Sequence, residues 1–248
     1  MRLTVLGSSS KANGYVLQND TEALVLECGC PVQDCIRSLM FNTQKVAGVL
    51  VTHEHGDHAR HIGKYMERFD VYCSQGTSKA IHTTSSLLHP KVLQPFQTVS
   101  IGGFRVTPFP TEHDCAEPFG YQIDHEEIGR MIFATDTYFV RYTFEGLTNV
   151  MIECNYASDI LDENTRNGII PAFLRHRTMM SHMSLKTCIE MLRSNDLKNV
   201  SQVVLIHLSN QNSDEDRFRN EVSLSIGKRV VVAKKGLDIP FNRTPFDL

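Results

Sequence analysis

Residues 51–58 read Val51-Thr52-His53-Glu54-His55-Gly56-Asp57-His58, and four of these side chains are potential metal ligands: His53, His55, Asp57 and His58. The apolar run Ala47–Val51 leads into them and predicts a buried strand. Ligands in a turn at the end of a strand can converge on one point, whereas ligands along a strand alternate between its faces. Imidazoles together with a carboxylate are typical of sites for Zn²⁺ and neighbouring first-row metals.

Four ligands this close together exceed what one ion takes from one segment, so the segment predicts two divalent ions. Three further candidates stand where later apolar runs end: His113, Asp136 and His207. We expect one ion on His53, His55 and His113, and the other on Asp57, His58 and His207. We place Asp136 between the ions, because a carboxylate has two oxygens and can bridge them. Zinc is the expected metal, and manganese is the alternative.

The composition is that of a globular protein, with 248 residues of which 41% are hydrophobic and 21% charged. The net charge of −3 excludes a general attraction to nucleic acid or anionic membranes, so a polyanion would need a local cluster of cations. No apolar run approaches the roughly 18 to 20 residues that span a bilayer, and the first residues lack a leader pattern. We therefore expect a cytoplasmic protein without membrane contacts. The odd number of cysteines, seven, predicts free thiols.

Short apolar runs rich in β-branched residues predict strands, which dominate the first half: Leu3–Leu6, Tyr15–Leu17, Ala23–Leu26, Ala47–Val51, Val99–Ile101, Phe104–Thr107 and Phe119–Ile123. Helices separate the strands predicted in the second half, at Met131–Thr135, Val150–Glu153, Val203–Ile206 and Val230–Ala233. Helical spacing follows the N-cap candidates Ser184 and Ser213. It also predicts helices at Val32–Met40, Asp57–Met66, Ser74–Thr83 and Asp159–His176. This order of elements favours an α+β sandwich.

The histidine segment resembles the metallo-β-lactamase fold, whose hallmark Thr-His-x-His-x-Asp-His stands at residues 52–58. The resemblance spans nearly the whole chain and is closest to the bacterial and phage exonucleases of the YycJ (WalJ) type. The supporting segments occur in this order: Gly7–Tyr15, His113–Tyr121, Ala134–Thr137, His182–Ser184 and His207–Asn210.

This resemblance implies a four-layer αββα sandwich of class α+β, formed by residues 1–248 as a single domain, with the metals where the two sheets meet. It also implies hydrolysis of nucleic-acid phosphodiesters, most simply by an exonuclease acting on DNA, with RNA as the alternative. His182 is similar to a histidine that acts on the scissile phosphate in nuclease branches of the fold. The chain departs from the family pattern at Glu27, which replaces an aspartate, and at Tyr138, which replaces a glycine.

Hydrolysis of a phosphodiester needs a nucleophile at neutral pH and stabilisation of charge on the phosphoryl oxygens. A pair of divalent ions meets both needs, because it lowers the pKa of a bridging water from 15.7 toward about 7. We expect Asp57 to orient the resulting hydroxide or accept its proton, and His182 to donate to a phosphoryl oxygen or the leaving group. Cations between residues 166 and 193 predict substrate contacts at Arg175, Arg177, Lys186 and Arg193.

Two other functions fit the same residues. A small-molecule hydrolase acting on a thioester, lactone or lactam would have a narrow apolar pocket beside the metals. A non-catalytic metal-binding module would have closed coordination with no exchangeable water.

Overall fold

A computed structural model of the chain describes residues 1–81 and 88–244. The strands are β1 (Arg2–Gly7), β2 (Gly14–Gln18), β3 (Ala23–Leu26), β4 (Val46–Leu50), β5 (Val71–Cys73), β6 (Lys91–Val92), β7 (Val99–Ile101), β8 (Phe104–Pro110), β9 (Phe119–His125), β10 (Gly129–Ala134), β11 (Leu147–Glu153), β12 (Gln202–Ile206), β13 (Arg229–Val232) and β14 (Asp238–Pro240). The helices are α1 (Val32–Ser38), α2 (Gly56–Ala59), α3 (Ile62–Met66), α4 (Gln75–Ala80), α5 (Ser158–Arg166), α6 (Ala172–Ser181), α7 (Leu185–Arg193) and α8 (Glu215–Ile226).

The strands form two seven-stranded sheets that share one pattern. The first sheet has the order β14-β1-β2-β3-β4-β5-β6, and the second has the order β13-β12-β11-β10-β9-β8-β7. Each sheet is antiparallel on one side and parallel on the other: β3 to β6 run parallel in the first, and β10 to β13 in the second. The carboxyl ends of neighbouring parallel strands therefore lie side by side, as ligands following different strands require.

Strand β10 shows how the layers are held together. Met131 and Phe133 belong to the core between the two sheets, whereas Ile132 and Ala134 pack under the helices on the outer face. Successive side chains alternate between the faces of a strand, and here both faces are buried, so the strand reads as an unbroken apolar run. Removing a ring such as that of Phe133 costs about 3 to 5 kcal/mol in cores of this kind.

Helices cover the outer face of each sheet. Ile62 and Tyr65 of α3 pack on the first sheet, and Leu192 of α7 and Phe218 of α8 pack on the second. The order of layers is helix, sheet, sheet, helix, which confirms the predicted αββα sandwich. Every helix in the described part of the chain falls short of the length and apolar character that a bilayer crossing requires.

Several predicted helices are wrong in their bounds. The single helix Asp159–His176 is two helices, α5 and α6, because Gly168 adopts φ 71° and Pro171 precedes the first residue of α6. The helix Asp57–Met66 is likewise divided into α2 and α3. Helix α4 ends at Ala80, and residues 82–83 of the predicted helix Ser74–Thr83 lie outside the described residues. Within the described residues, the first half contains four α-helices, α1 to α4, and a short 3-10 helix at Thr43–Lys45.

The two predicted N-caps have different outcomes. The Ser184 side chain accepts a hydrogen bond from the Thr187 N–H at the start of α7, as predicted. At α8 the cap is Asp214, whose carboxylate accepts from the Arg217 N–H. The predicted cap Ser213 donates its hydroxyl to the Ser209 carbonyl instead. The predicted N-cap of α8 is therefore wrong by one residue. Serine and aspartate side chains can both accept a hydrogen bond at a helix start, so the spacing alone does not choose between Ser213 and Asp214.

Candidate metal centre

The ends of three parallel strands position one side of the centre. Strand β10 ends before Asp136, β11 ends at Glu153, and β12 ends before His207. Asp136 and His207 both have left-handed backbones, with φ of 44° and 54°. Non-glycine residues held in this region cost about 1 to 3 kcal/mol each and cluster at functional sites, where the surrounding structure holds them in place.

The first group of candidate ligands is His53, His55 and His113, which we call the histidine half. Their ligand atoms lie within 4.8 Å of one another, and His55 Nδ1 is 3.1 Å from His113 Nε2. In His53 and His113, the second ring nitrogen, Nδ1, contacts a neutral polar group of the protein. His53 Nδ1 is 2.9 Å from the Thr52 hydroxyl, and His113 Nδ1 is 2.8 Å from the Ser181 carbonyl oxygen.

The second group, Asp57, His58 and His207, is the carboxylate half. Asp57 Oδ2 lies 3.2 Å from both His58 Nε2 and His207 Nε2. Their far nitrogens face buried carboxylates: His58 Nδ1 is 3.4 Å from Glu27 Oε1, and His207 Nδ1 is 3.0 Å from Glu153 Oε1. A carboxylate behind an imidazole fixes the ring and raises its basicity as a ligand.

Asp136 lies between the two halves. Its Oδ2 is 2.5 Å from His58 Nε2 and 3.4 Å from His53 Nε2, so one oxygen reaches both groups. Its Oδ1 is 2.8 Å from His207 Nδ1. The structure therefore brings together all seven side chains that the sequence singled out as ligands, and Asp136 and His207 also cluster with Glu153 and His182.

One carboxylate and two amides that contact the candidate ligands, Glu153, Asn13 and Asn155, were not predicted as site residues. Glu153 accepts the N–H groups of Thr137 and Met183, each at 3.0 Å, and is fully buried. Asn13 donates its side-chain amide to Asp57 Oδ2 at 3.2 Å, and Asn155 donates to the His207 carbonyl at 2.9 Å. A signal for Glu153 was present, since it ends a buried strand just as Asp136 and His207 follow one.

Glu27 takes the place of the aspartate usual in the family that the sequence resembles. Its carboxylate accepts from the Thr52 hydroxyl at 2.6 Å and faces His58, and its backbone has φ 72°. The longer side chain thus still reaches the residues behind the ligands. The altered residue is buried and connected to both halves, through Thr52 to His53 and directly to His58.

The two halves differ in electrostatics. Burial, together with the nearby His58, holds the pKa of His53 well below its ordinary value, and burial also lowers the pKa of His113. Burial acts in the same direction on His58 and His207, but the surrounding carboxylates, with Asp136 the strongest, together outweigh it and raise both pKa values. The potential in the carboxylate half is therefore strongly negative and attracts a cation.

The donor set fits a pair of first-row divalent ions. His53 Nε2 is buried and has no hydrogen-bond partner among the described residues, although its neighbours are all potential ligands. A buried ring nitrogen left unpaired is costly, and a metal ion bound there would satisfy it. Five imidazoles and two carboxylates are the ligand types that Zn²⁺ and Mn²⁺ take.

His182 lies at the rim of the centre. Its Nδ1 is 2.7 Å from Glu153 Oε1. Its ring stacks on that of His207, with 5.4 Å between the ring centroids. Burial lowers its pKa, but Glu153 and Asp136 outweigh burial and raise it to about 9. The side chain also lines a cavity of 150 Å³ over the candidate ligands, together with Ser10 and Arg177.

The four predicted substrate contacts lie in three different places. Of the four, only Arg177 lines this cavity. Arg175 points to α5, where its guanidinium pairs with Asp162 at 2.7 Å. Lys186 and Arg193 line a separate cavity between α7 and α8. All four remain predicted substrate contacts, although α6 and α7 place three of them outside this cavity.

Comparison with known proteins gives consistent results. A family model described as "Beta-lactamase superfamily domain" matches residues 34–208. Exodeoxyribonuclease YycJ of Bacillus anthracis is 24% identical, over 90% of this chain and 88% of that protein. Exodeoxyribonuclease WalJ of Streptococcus pneumoniae serotype 2 is 22% identical, over 86% and 83%. Zn²⁺-bound PqqB from Methylobacterium extorquens, at 17% identity, covers 97% of this chain and 100% of that one with a TM-score of 0.73. The resemblance seen in the motifs is confirmed.

Proposed function

Because the chain belongs to the beta-lactamase superfamily, whose members are generally metal-dependent hydrolases, we propose that it is a dinuclear metal-dependent exonuclease acting on DNA. One observation carries the proposal. His182 lies beside the seven candidate ligands, is held by Glu153, and faces a polar cavity that also contains Arg177. A phosphodiester in this cavity would meet a metal pair, a proton donor and a guanidinium.

The protein's own side chains hold and orient the reactants. The histidine half and the carboxylate half would each hold one ion, with Asp136 between them. Bound divalent ions would supply a nucleophile at neutral pH and offset negative charge on the phosphoryl oxygens. Asp57, which Asn13 holds at 3.2 Å, orients the nucleophile or accepts its proton.

His182 is proposed as the proton donor. Its Nδ1–H donates to Glu153, so Nε2 is the nitrogen that remains for a substrate in the cavity. Donation from Nε2 requires the doubly protonated ring, and the Glu153 carboxylate at 2.7 Å favours that charged form. The acceptor would be a phosphoryl oxygen or the oxygen of the leaving group.

The small volume and the mostly polar lining of the cavity favour a phosphate over an apolar small molecule. Pockets for small molecules are mostly apolar and occupy about 300 to 1,000 Å³. The cavity over the candidate ligands is 150 Å³, and Leu174 is its one apolar side chain among the lining residues described. The exodeoxyribonuclease names of the two curated relatives support DNA as the polymer. Zinc is supported by the donor set and by the zinc-bound structural neighbour.

The test is a cleavage assay with end-labelled single- and double-stranded DNA and RNA in Zn²⁺ or Mn²⁺. We expect DNA to be shortened from one end by the wild-type protein, and both Asp57→Ala and His182→Ala to be defective. His176→Ala is the matched control, because His176 is exposed on α6 and does not line the cavity. If the wild-type protein cuts no nucleic acid, or the two variants cut as well as the control, the assignment is wrong. Cleavage of thioesters, lactones or lactams in the same buffers would indicate the small-molecule alternative.

A further inference from the structure

A second cavity lies at the opposite end of the second sheet from the candidate metal centre. It has a volume of 1020 Å³ and is bordered by residues at the amino ends of β10, β11 and β13, including Gly129, Thr148 and Arg229. We call it the basic groove, because its lining contains six lysine and arginine side chains: Arg105, Arg130, Lys198, Lys228, Arg229 and Arg243. The acidic residues in the lining are Asp124 and Glu126.

Most of this positive charge has no partner in the fold. Arg130 pairs with Asp124 at 2.7 Å, and Lys228 donates to the Lys198 carbonyl. The other four cations are exposed, and their side chains form no ion pair within the described residues: Arg105, Lys198, Arg229 and Arg243. In a chain with a net charge of −3, cations left unpaired on one concave surface create a local positive potential that attracts anions.

Nearby acids do not neutralise the groove. Glu22 accepts from the Gly103 N–H and contacts His125 Nε2 at 3.0 Å. Glu127 pairs with the amino group of Met1. Glu126 is the remaining carboxylate in the described lining that is not paired with a cation of the groove, whereas four cations of the lining are unpaired.

The lining favours a phosphate backbone over a protein. Protein interfaces depend on apolar and aromatic anchors in desolvated pockets. Among the residues that the structure describes, the lining of the basic groove has no aromatic side chain apart from His125, and its aliphatic member Val200 is buried. Lysine and arginine side chains without apolar anchors are typical of contacts to phosphates, which position a nucleic acid without reading its sequence.

We propose that the basic groove binds the phosphate backbone of a nucleic-acid strand at a distance from the candidate metal centre. The proposal rests on the proposed function for the identity of the polymer. Thr148 in the groove and Glu153 in the centre are five residues apart on β11, which is about 17 Å at about 3.3 Å per residue. A substrate must therefore be long to occupy both, and the groove should affect long strands only.

The test measures binding separately from cleavage. Anisotropy of a fluorescein-labelled oligothymidylate is recorded against protein in EDTA, over a series of salt concentrations. The variant is Lys198→Gln/Arg229→Gln, and the matched control is Arg68→Gln/Lys79→Gln, which removes the same charge from exposed positions outside the groove. We expect the groove variant to bind about tenfold more weakly, and the slope of log affinity against log salt to become shallower by about 1.4, or about 0.7 for each phosphate contact.

Binding of the groove variant with the same affinity and slope as the control overturns the proposal. Tighter binding of polyglutamate than of oligothymidylate also overturns it, in favour of an acidic protein. Hydrolysis of bis(p-nitrophenyl) phosphate is assayed in parallel, and the groove variant should match the wild-type protein, since that substrate is too short to reach the groove. If groove-dependent binding is present but no phosphodiester is cut, the proposed function fails and the groove stands. If the wild-type protein cuts DNA and its binding does not depend on the groove, the proposed function stands and the proposal for the groove fails.

Discussion

The histidine half and the carboxylate half offer the same number of protein ligands but different surroundings. Behind His53 and His113 stand neutral groups, a hydroxyl and a main-chain carbonyl. Behind His58 and His207 stand two buried carboxylates, Glu27 and Glu153. In the histidine half, His53 and His113 therefore present neutral imidazoles with available lone pairs, whereas the carboxylate half presents concentrated negative charge.

This difference would allow one site to hold two like-charged ions close together. A cation in the carboxylate half gains from the charges of Asp57, Asp136 and the carboxylates behind the rings. A cation in the histidine half depends on the imidazole lone pairs and on Asp136. The pKa directions agree, because burial lowers the pKa of His53 while carboxylates raise the pKa of His58 and His207. We expect the carboxylate half to bind its ion more tightly.

Removing the shared residue should have the largest effect. Asp136→Ala takes the bridging carboxylate from both halves, so we expect both ions to bind more weakly and kcat/KM on DNA to fall about 10³-fold or more, or about 4 kcal/mol. Metal content by mass spectrometry and cleavage of labelled DNA measure the two effects. His53→Ala is the comparison variant, since it should weaken binding of the ion in the histidine half more than binding of the other ion. Two ions retained at wild-type affinity in Asp136→Ala would contradict the bridging role.

Replacing His182 tests whether Glu153 serves a proton donor as well as an ion. His182→Ala should lower kcat by about 10²-fold or more, because a general acid typically contributes about 10²- to 10⁴-fold. Metal content should stay that of the wild-type protein, because His182 is not among the seven expected ligands. His176→Ala, on the exposed side of α6, should match the wild-type protein in both measurements. Loss of an ion from His182→Ala would mean that this side chain belongs to the carboxylate half instead.

The comparison also shows which part of the centre could be predicted from sequence. The seven expected ligands are polar residues that follow apolar strands, and parallel strands bring such positions to one edge whatever the details of the loops. The groups behind the rings were harder to predict, because Glu153 reads as the last residue of a strand until its neighbours are known. Helix orientation was harder still. Arg175 and Arg177 are two residues apart on α6 and so point about 200° apart, which places one on Asp162 and the other in the cavity.

Glu153 and Thr52, which contact the far ring nitrogens of His207 and His53, should differ in how strongly they affect metal affinity. Glu153→Gln removes a charge behind His207, and we expect the affinity of the carboxylate half for Zn²⁺ to fall about 10- to 100-fold. Thr52→Val removes a neutral partner of His53, and the loss of one hydrogen bond, about 0.5 to 1.5 kcal/mol, corresponds to about tenfold at most. Titration against a fluorescent zinc chelator resolves the two affinities. Equal losses in the two variants would mean that charge does not distinguish the halves.

Arg177 should give the smallest effect. Its Nε is 2.8 Å from Asp114, the residue after His113, so its positive charge stands on the side of the histidine half. Because the side chain is largely exposed, we expect Arg177→Gln to raise KM for DNA about fivefold, or about 1 kcal/mol, and to leave kcat and metal content unchanged. Arg175→Gln is the matched control, since it removes the same charge two residues away but outside the cavity. A fall in kcat without a change in KM would show that Arg177 acts on the reacting phosphate, and equal effects of the two variants would leave only a general attraction between α6 and DNA.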